Sequence, residues 1–128
     1  MGAQDLSSLL RDLSVTRRPG RWCMVTVPVG SDVAVAATVL EDEGPTSVIS
    51  LADAERLGQT PGFVAAWLTL DVESALDAIG LTAAVATALA ADGIACNVLA
   101  GFHHDHLLVP EERAEDAIAS LMRLRSPH

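Results

Sequence analysis

The sequence predicts an α+β chain built on a βαββαβ unit, and three observations lead there. Over residues 63–128 the strand-like and helix-like patterns follow one another as strand, helix, strand, strand, helix, one strand short of that unit. The N-terminal residues read as a helix followed by a strand, and so supply the missing piece. Half of the 128 residues are apolar and only a fifth are charged, a balance that builds a packed core rather than a disordered chain. The chain is expected to divide into two halves, residues 1–62 and 63–128. The N-terminal helix–strand pair is available to interleave with the second half.

The first half is read element by element. Leu6, Leu9, Leu10 and Leu13 recur at helical spacing behind Asp5, a good N-cap residue. Arg17-Arg18-Pro19-Gly20 predicts a break and a turn. Trp22 to Val27 is rich in β-formers and stops at Pro28, which predicts a strand. Gly30-Ser31-Asp32 offers caps for a helix running to about Leu40, and Glu41 to Pro45 reads as a polar loop. Ser47 to Leu51 predicts a short strand, Ala52 to Leu57 one or two helical turns closed by Gly58, and Thr60-Pro61-Gly62 a turn.

The second half is more sharply patterned. Phe63 to Val72 is a clear strand. Leu81, Val85, Ala88 and Leu89 then fall at helical spacing, closed by Asp92 and by Gly93 as the C′ residue. Ile94 to Gly101 and His106 to Val109 predict the two strands of a hairpin turning at Phe102 to Asp105. Pro110 suits the first position of a helix, and Glu111 with Glu112 the positive end of its dipole. Ala114, Ala117, Ile118 and Leu121 trace that helix's buried stripe. Together these elements give the ferredoxin-like order.

Charge and composition exclude several functions. Seventeen acidic side chains against eight basic ones, all arginine, give a net charge of −9. Such a chain repels phosphate backbones, and no basic stripe with interleaved aromatics is present, so no nucleic-acid partner is expected. The uncharged run Ala78 to Ala91 falls short of the ~20 residues a spanning helix needs. The N-terminus carries Asp5 and lacks an apolar core, so it does not read as a signal peptide. A cytoplasmic protein with no membrane partner is the expectation. Cys23 and Cys96 lie in apolar runs without a CxxC pattern and read as buried free thiols.

The runs Gly80-Leu81-Thr82-Ala83-Ala84-Val85-Ala86, Gly93-Ile94-Ala95-Cys96-Asn97-Val98, His104-Asp105-His106 and Val109-Pro110 resemble ACT-domain proteins. More narrowly, they resemble the small bacterial tandem ACT-like proteins of unassigned function. Gly80 fits the glycine at the strand–helix junction of that pattern, and Gly93, Ile94 and Asn97 its second strand. The match runs from Trp67 to Ala119 and is more diffuse from Arg18 to Gly62. The resemblance implies two ferredoxin-like units that form a homodimer and regulate by binding an amino acid or related metabolite at domain interfaces. It implies no catalysis and no cofactor.

Candidate site residues follow. Asp77, Ile79, Gly80, Leu81 and Thr82 form a strand-to-helix junction whose exposed N–H groups and dipole attract a carboxylate. In the plainer reading Gly80 only makes the turn and Thr82 caps the helix. Asn97, polar within an apolar strand, either hydrogen-bonds a ligand or ties its strand to a neighbouring loop. His103-His104-Asp105-His106 contains metal-ligand residue types, but a closed site wants four ligands. The expectation is that Asp105 fixes the turn and that no metal is bound. No GxSxG, P-loop, HExxH or GxGxxG pattern occurs, so a non-enzymatic ligand-binding module is the leading function. The alternatives are a purely structural oligomerising protein and a His-dependent metal enzyme.

Overall fold

A computed structural model describes residues 5–72 and 79–126. The elements are α1 (Leu6–Arg11), β1 (Val15–Val25), β2 (Ala37–Glu41), β3 (Gly44–Ser50), α2 (Leu51–Arg56), β4 (Ala65–Leu70), α3 (Leu81–Ala91), β5 (Asn97–Ala100), β6 (Asp105–Pro110) and α4 (Ala114–Met122). Single 3₁₀ turns, Glu111–Arg113 and Arg123–Arg125, flank α4. The chain forms two compact units. One holds the N-terminal residues through Arg18 together with Ala66 onward, and the other holds Pro19–Ala65.

In the first unit the strands lie in the order β1, β4, β6, β5, with β1 represented by its first residues. Taken in chain order from β4, the unit reads β4, α3, β5, β6, α4, and the start of β1 occupies the place of the fourth strand. This is a ferredoxin-like arrangement whose last strand comes from the front of the chain. Alternate residues Ala66, Leu68 and Leu70 of β4, with Leu107 and Val109 of β6, face a core filled by Leu9 and Leu13, by Leu81, Val85 and Leu89 of α3, and by Ala114, Ala117 and Leu121 of α4. With few aromatic residues, the elements approach closely through Ala, Val and Leu. Asp5 caps α1, its Oδ1 accepting from the Ser7 N–H at 2.9 Å.

The far end of α3 is held from α4. Gly93 takes a left-handed φ of +70° and the Ile94 N–H donates to Leu89 O, closing the helix as predicted. The Arg113 guanidinium donates to the Asp92 carbonyl at 3.1 Å, and Arg123 pairs with the Asp92 carboxylate at 2.5 Å. Ser120 Oγ, on the buried side of α4, donates to Ala88 O at 3.3 Å. The β5–β6 hairpin pairs Asn97 with Leu108, Val98 with Leu107, Leu99 with His106 and Ala100 with Asp105.

The second unit orders its strands β2, β3, β1, all antiparallel. Glu41 faces Gly44 across a two-residue Asp42-Glu43 turn. Ser50 caps α2 by accepting the Asp53 N–H at 3.1 Å, and Gly58 at φ +76° follows the helix. A small core of Cys23, Ile49 and Ala54 is flanked by Val25, Val27, Val33 and Leu57.

Three expectations are corrected. The helix expected after Gly30 is absent: residues 31–36 are irregular and Ala37–Glu41 is strand β2. Val33, Val35, Thr38 and Val39 are β-branched, and in an otherwise unpatterned stretch that stiffness outweighs the capping residues. The break expected at Arg17-Arg18-Pro19-Gly20 lies inside the eleven-residue strand β1. A strand tolerates proline where the ladder does not use its N–H, and Gly20 supplies a φ of +104° that other residues avoid. The division between the two units nevertheless falls between Arg18 and Pro19. The strand expected from Ile94 is also shorter, because its ladder begins only at Asn97.

The core assignment has a direct test. Leu89, fully buried in the first unit, should lose about 2–5 kcal/mol on truncation to Ala. Leu40, 85% exposed on β2, should change stability by less than about 0.5 kcal/mol in the same urea titration.

Candidate functional site

The predicted junction opens α3. Gly80 is its N-cap residue at φ +100° and, having no side chain, makes no capping hydrogen bond of its own. The first helical bond runs from the Ala84 N–H to Gly80 O at 2.9 Å. Thr82 is exposed and does not cap the helix, which corrects the plainer reading of that residue. The backbone favours glycine at position 80. The left-handed φ strains any L residue, and a Cβ there would come within 3.1 Å of the Leu6 side chain on α1. Ile79 is 88% exposed, whereas the Leu81 side chain is buried in the core and leaves only its backbone for the junction. Asp77 lies outside the described residues.

Asn97 does not join this group. It opens β5 beyond the closing turn of α3, while Gly80 precedes the helix. Eleven residues at about 1.5 Å each put roughly 16 Å of helix between the two. Asn97 is also exposed, so the expectation of a buried polar group that needs an internal partner is corrected. Because paired residues share a face, Asn97 and Leu99 lie with His106 and Leu108, opposite the core-facing Leu107 and Val109.

That face carries a polar network which sequence reasoning missed. Thr69 Oγ1 lies 2.9 Å from His106 Nδ1, and Trp67 Nε1 lies 3.2 Å from Thr69 Oγ1 and 3.3 Å from His106 Nδ1. The Trp67 and His106 rings are tilted with centroids 5.3 Å apart, and the Arg18 guanidinium sits 4.6 Å above the indole. Thr16 donates its hydroxyl to the Asp71 carboxylate. Burial pushes the His106 imidazole below its ordinary pKa. The neighbouring His104 and Arg18 act in the same direction, and Asp105 and Asp71 oppose them. The period-two spacing Trp67-x-Thr69-x-Asp71 and Thr16-x-Arg18 was the available signal, since it puts these residues on one side of their strands. The turn beside His106 is closed by the Gly101 N–H donating to His104 O at 2.9 Å, and Asp105 pairs with Ala100 in the ladder. Among the described residues no three His, Cys, Asp or Glu side chains group as metal ligands. No described helix is long and apolar enough to cross a membrane.

ACT-domain family models match residues 1–66 and 62–123. This chain belongs to the ACT-domain family. A Vibrio cholerae protein of unknown function, described as a possible transport protein, is 35% identical with a TM-score of 0.83, covering 94% of this chain and 96% of that one. An Agrobacterium tumefaciens protein shares the ACT-domain chain's fold at 18% identity and a TM-score of 0.61, with 91% and 95% coverage. The regulatory subunit of aspartate kinase from Thermus flavus does so at 11% identity and 0.61, with 88% and 97% coverage. No curated protein matches the ACT-domain chain.

The tight corner beside His106 yields a prediction. A Cβ at Gly101 would lie 2.8 Å from the His104 carbonyl, so Gly101→Ala should cost about 1–3 kcal/mol. Gly62 has open space and an ordinary φ, and Gly62→Ala should be neutral or stabilise by about 0.4–1 kcal/mol. Paired thermal melts of the two variants check this.

Proposed function

We propose that this chain is a regulatory module that binds a small molecule of the amino-acid class and catalyses no reaction. Family membership supports the regulatory reading, and so does the shared fold with a protein described as a regulatory subunit of aspartate kinase. The observation that carries the ligand class is the start of α3. An eleven-residue helix begins behind a left-handed glycine that supplies no side-chain cap. A ligand carboxylate placed there receives backbone N–H groups and the positive end of the dipole. Thr82, exposed one turn edge away, adds a hydroxyl donor. The site so proposed comprises Ile79, Gly80, Leu81 and Thr82, with Leu81 contributing backbone only, and Asp77 is placed beside it by sequence.

A second reading rests on the sheet edges. Among the described residues β2 and β5 are each paired on one side only, and Val39 and Leu40 on β2 are exposed. Edges of this kind are covered in most proteins, so we propose that two copies associate as a homodimer. Sedimentation at working concentration should give about twice the 13.4 kDa chain mass, and a clean monomer removes the claim.

Thermal shift against a panel of amino acids tests the ligand. A bound compound at 100 times its Kd should add about 2.7 kcal/mol of apparent stability, and a flat response to the whole panel counts against the module. Thr82→Ala should weaken binding by about 1.5–3 kcal/mol, the worth of one hydrogen bond to a charged group, without altering the unliganded melt. Gly80→Val is the poorer variant, because strain and the Leu6 contact destabilise it with or without ligand. His104→Ala should leave affinity unchanged. Loss of binding there, with Thr82→Ala unaffected, moves the site to the hairpin.

A further inference from the structure

One proton arrangement of the Trp67–Thr69–His106 network uses every contact. An indole N–H is a donor only, whereas a hydroxyl both donates and accepts. Trp67 Nε1 lies 3.2 Å from Thr69 Oγ1 and 3.3 Å from His106 Nδ1, and Thr69 Oγ1 lies 2.9 Å from the same nitrogen. With Nδ1 accepting from both donors, the ring is neutral and carries its proton on Nε2. Nε2 lies against the hairpin corner, where a Cβ built on Gly101 would come within 3.3 Å of it. The ring thus spans from β4 to the corner that the Gly101 N–H closes on His104 O. Phe102 projects from that corner, 77% exposed.

Protonation reverses the arrangement. Nδ1 becomes a donor facing the Trp67 donor, and a cation appears on the face where Arg18 already lies over the indole. We propose that His106 is a proton-operated latch: neutral, it ties the β5–β6 corner to β4 through Thr69 and Trp67, and protonated, it releases that corner.

The charged and titratable groups facing the ring come from each neighbouring element. Arg18 stands on β1, Asp71 follows β4, and His104 and Asp105 lie on the hairpin. Burial, His104 and Arg18 favour the neutral ring, and the two carboxylates oppose them. Since the latch uses the neutral ring, it is fully closed above the ordinary histidine value of 6.5. It is lost as pH falls through the lower value that His106 takes in the folded chain.

Nitrogen-15 NMR of the full chain tests the latch. At neutral pH His106 should show the Nε2–H tautomer. On acidification the Trp67 indole N–H and the amides of residues 101–104 should shift together with His106, with a midpoint below 6.5. His106→Asn keeps an acceptor near the Nδ1 position and removes the proton, and it should abolish the linked shift. His104→Asn should keep the shift and raise its midpoint. The proposal is overturned by an Nδ1–H tautomer, by a midpoint at or above 6.5, or by a Trp67 signal that stays still while His106 titrates. It is equally overturned if His106→Asn retains the linked shift or His104→Asn abolishes it. Should His106→Asn not fold, the tautomer and the linked midpoint in the unaltered chain decide.

Discussion

The first unit depends on β4 being buried on both faces. Ala66, Leu68 and Leu70 point to the helices, while on the opposite face Trp67 is only 5% exposed. A central strand of this kind excludes water from an indole whose N–H still needs an acceptor. Thr69 and His106 meet that need from β4 itself and from β6. The same placement sets the register of polar residues across that face, with Arg18 over the ring and Thr16 at Asp71. The polar network is a consequence of where the largest side chain of the strand has to go.

The ferredoxin-like order also explains how a helix start becomes available. In a β4–α3–β5 crossover the helix runs back against the strand, and the chain enters α3 through Gly80 in left-handed conformation. Its missing Cβ lets Leu6 of α1 pack against the entrance. A glycine at the helix entrance supplies no side-chain cap to the first backbone N–H groups. That is the feature a ligand carboxylate exploits in the reading proposed above.

Much of this was legible in the sequence, for physical reasons that differ by element. The leucine spacing behind Asp5, the Gly93 stop and the Pro110-Glu111-Glu112 start are local signals, and α1, α3 and α4 stand where those residues put them. The stretch after Gly30 misled because capping residues and valines give opposite local advice, and only pairing with β3 decides between them. Asn97 misled because exposure depends on a strand's position in the sheet, and β5 lies at its edge. The His106 network was invisible because its partners stand 37 and 39 residues apart in the chain. Period-two spacing names a face but not which faces meet.

The thiols have a consequence of a different kind. Cys23 sits in the small core of the second unit with its Sγ against the Ile49 carbonyl, and Cys96, half-buried, belongs to the first. Burial raises both thiols above their ordinary pKa, so neither offers a reactive thiolate in the closed fold. A thiol reagent therefore reaches Cys23 only when the second unit opens, and Cys96 more readily as the first loosens. The chain carries one native probe in each unit, so alkylation rates report their local openings separately without any introduced label.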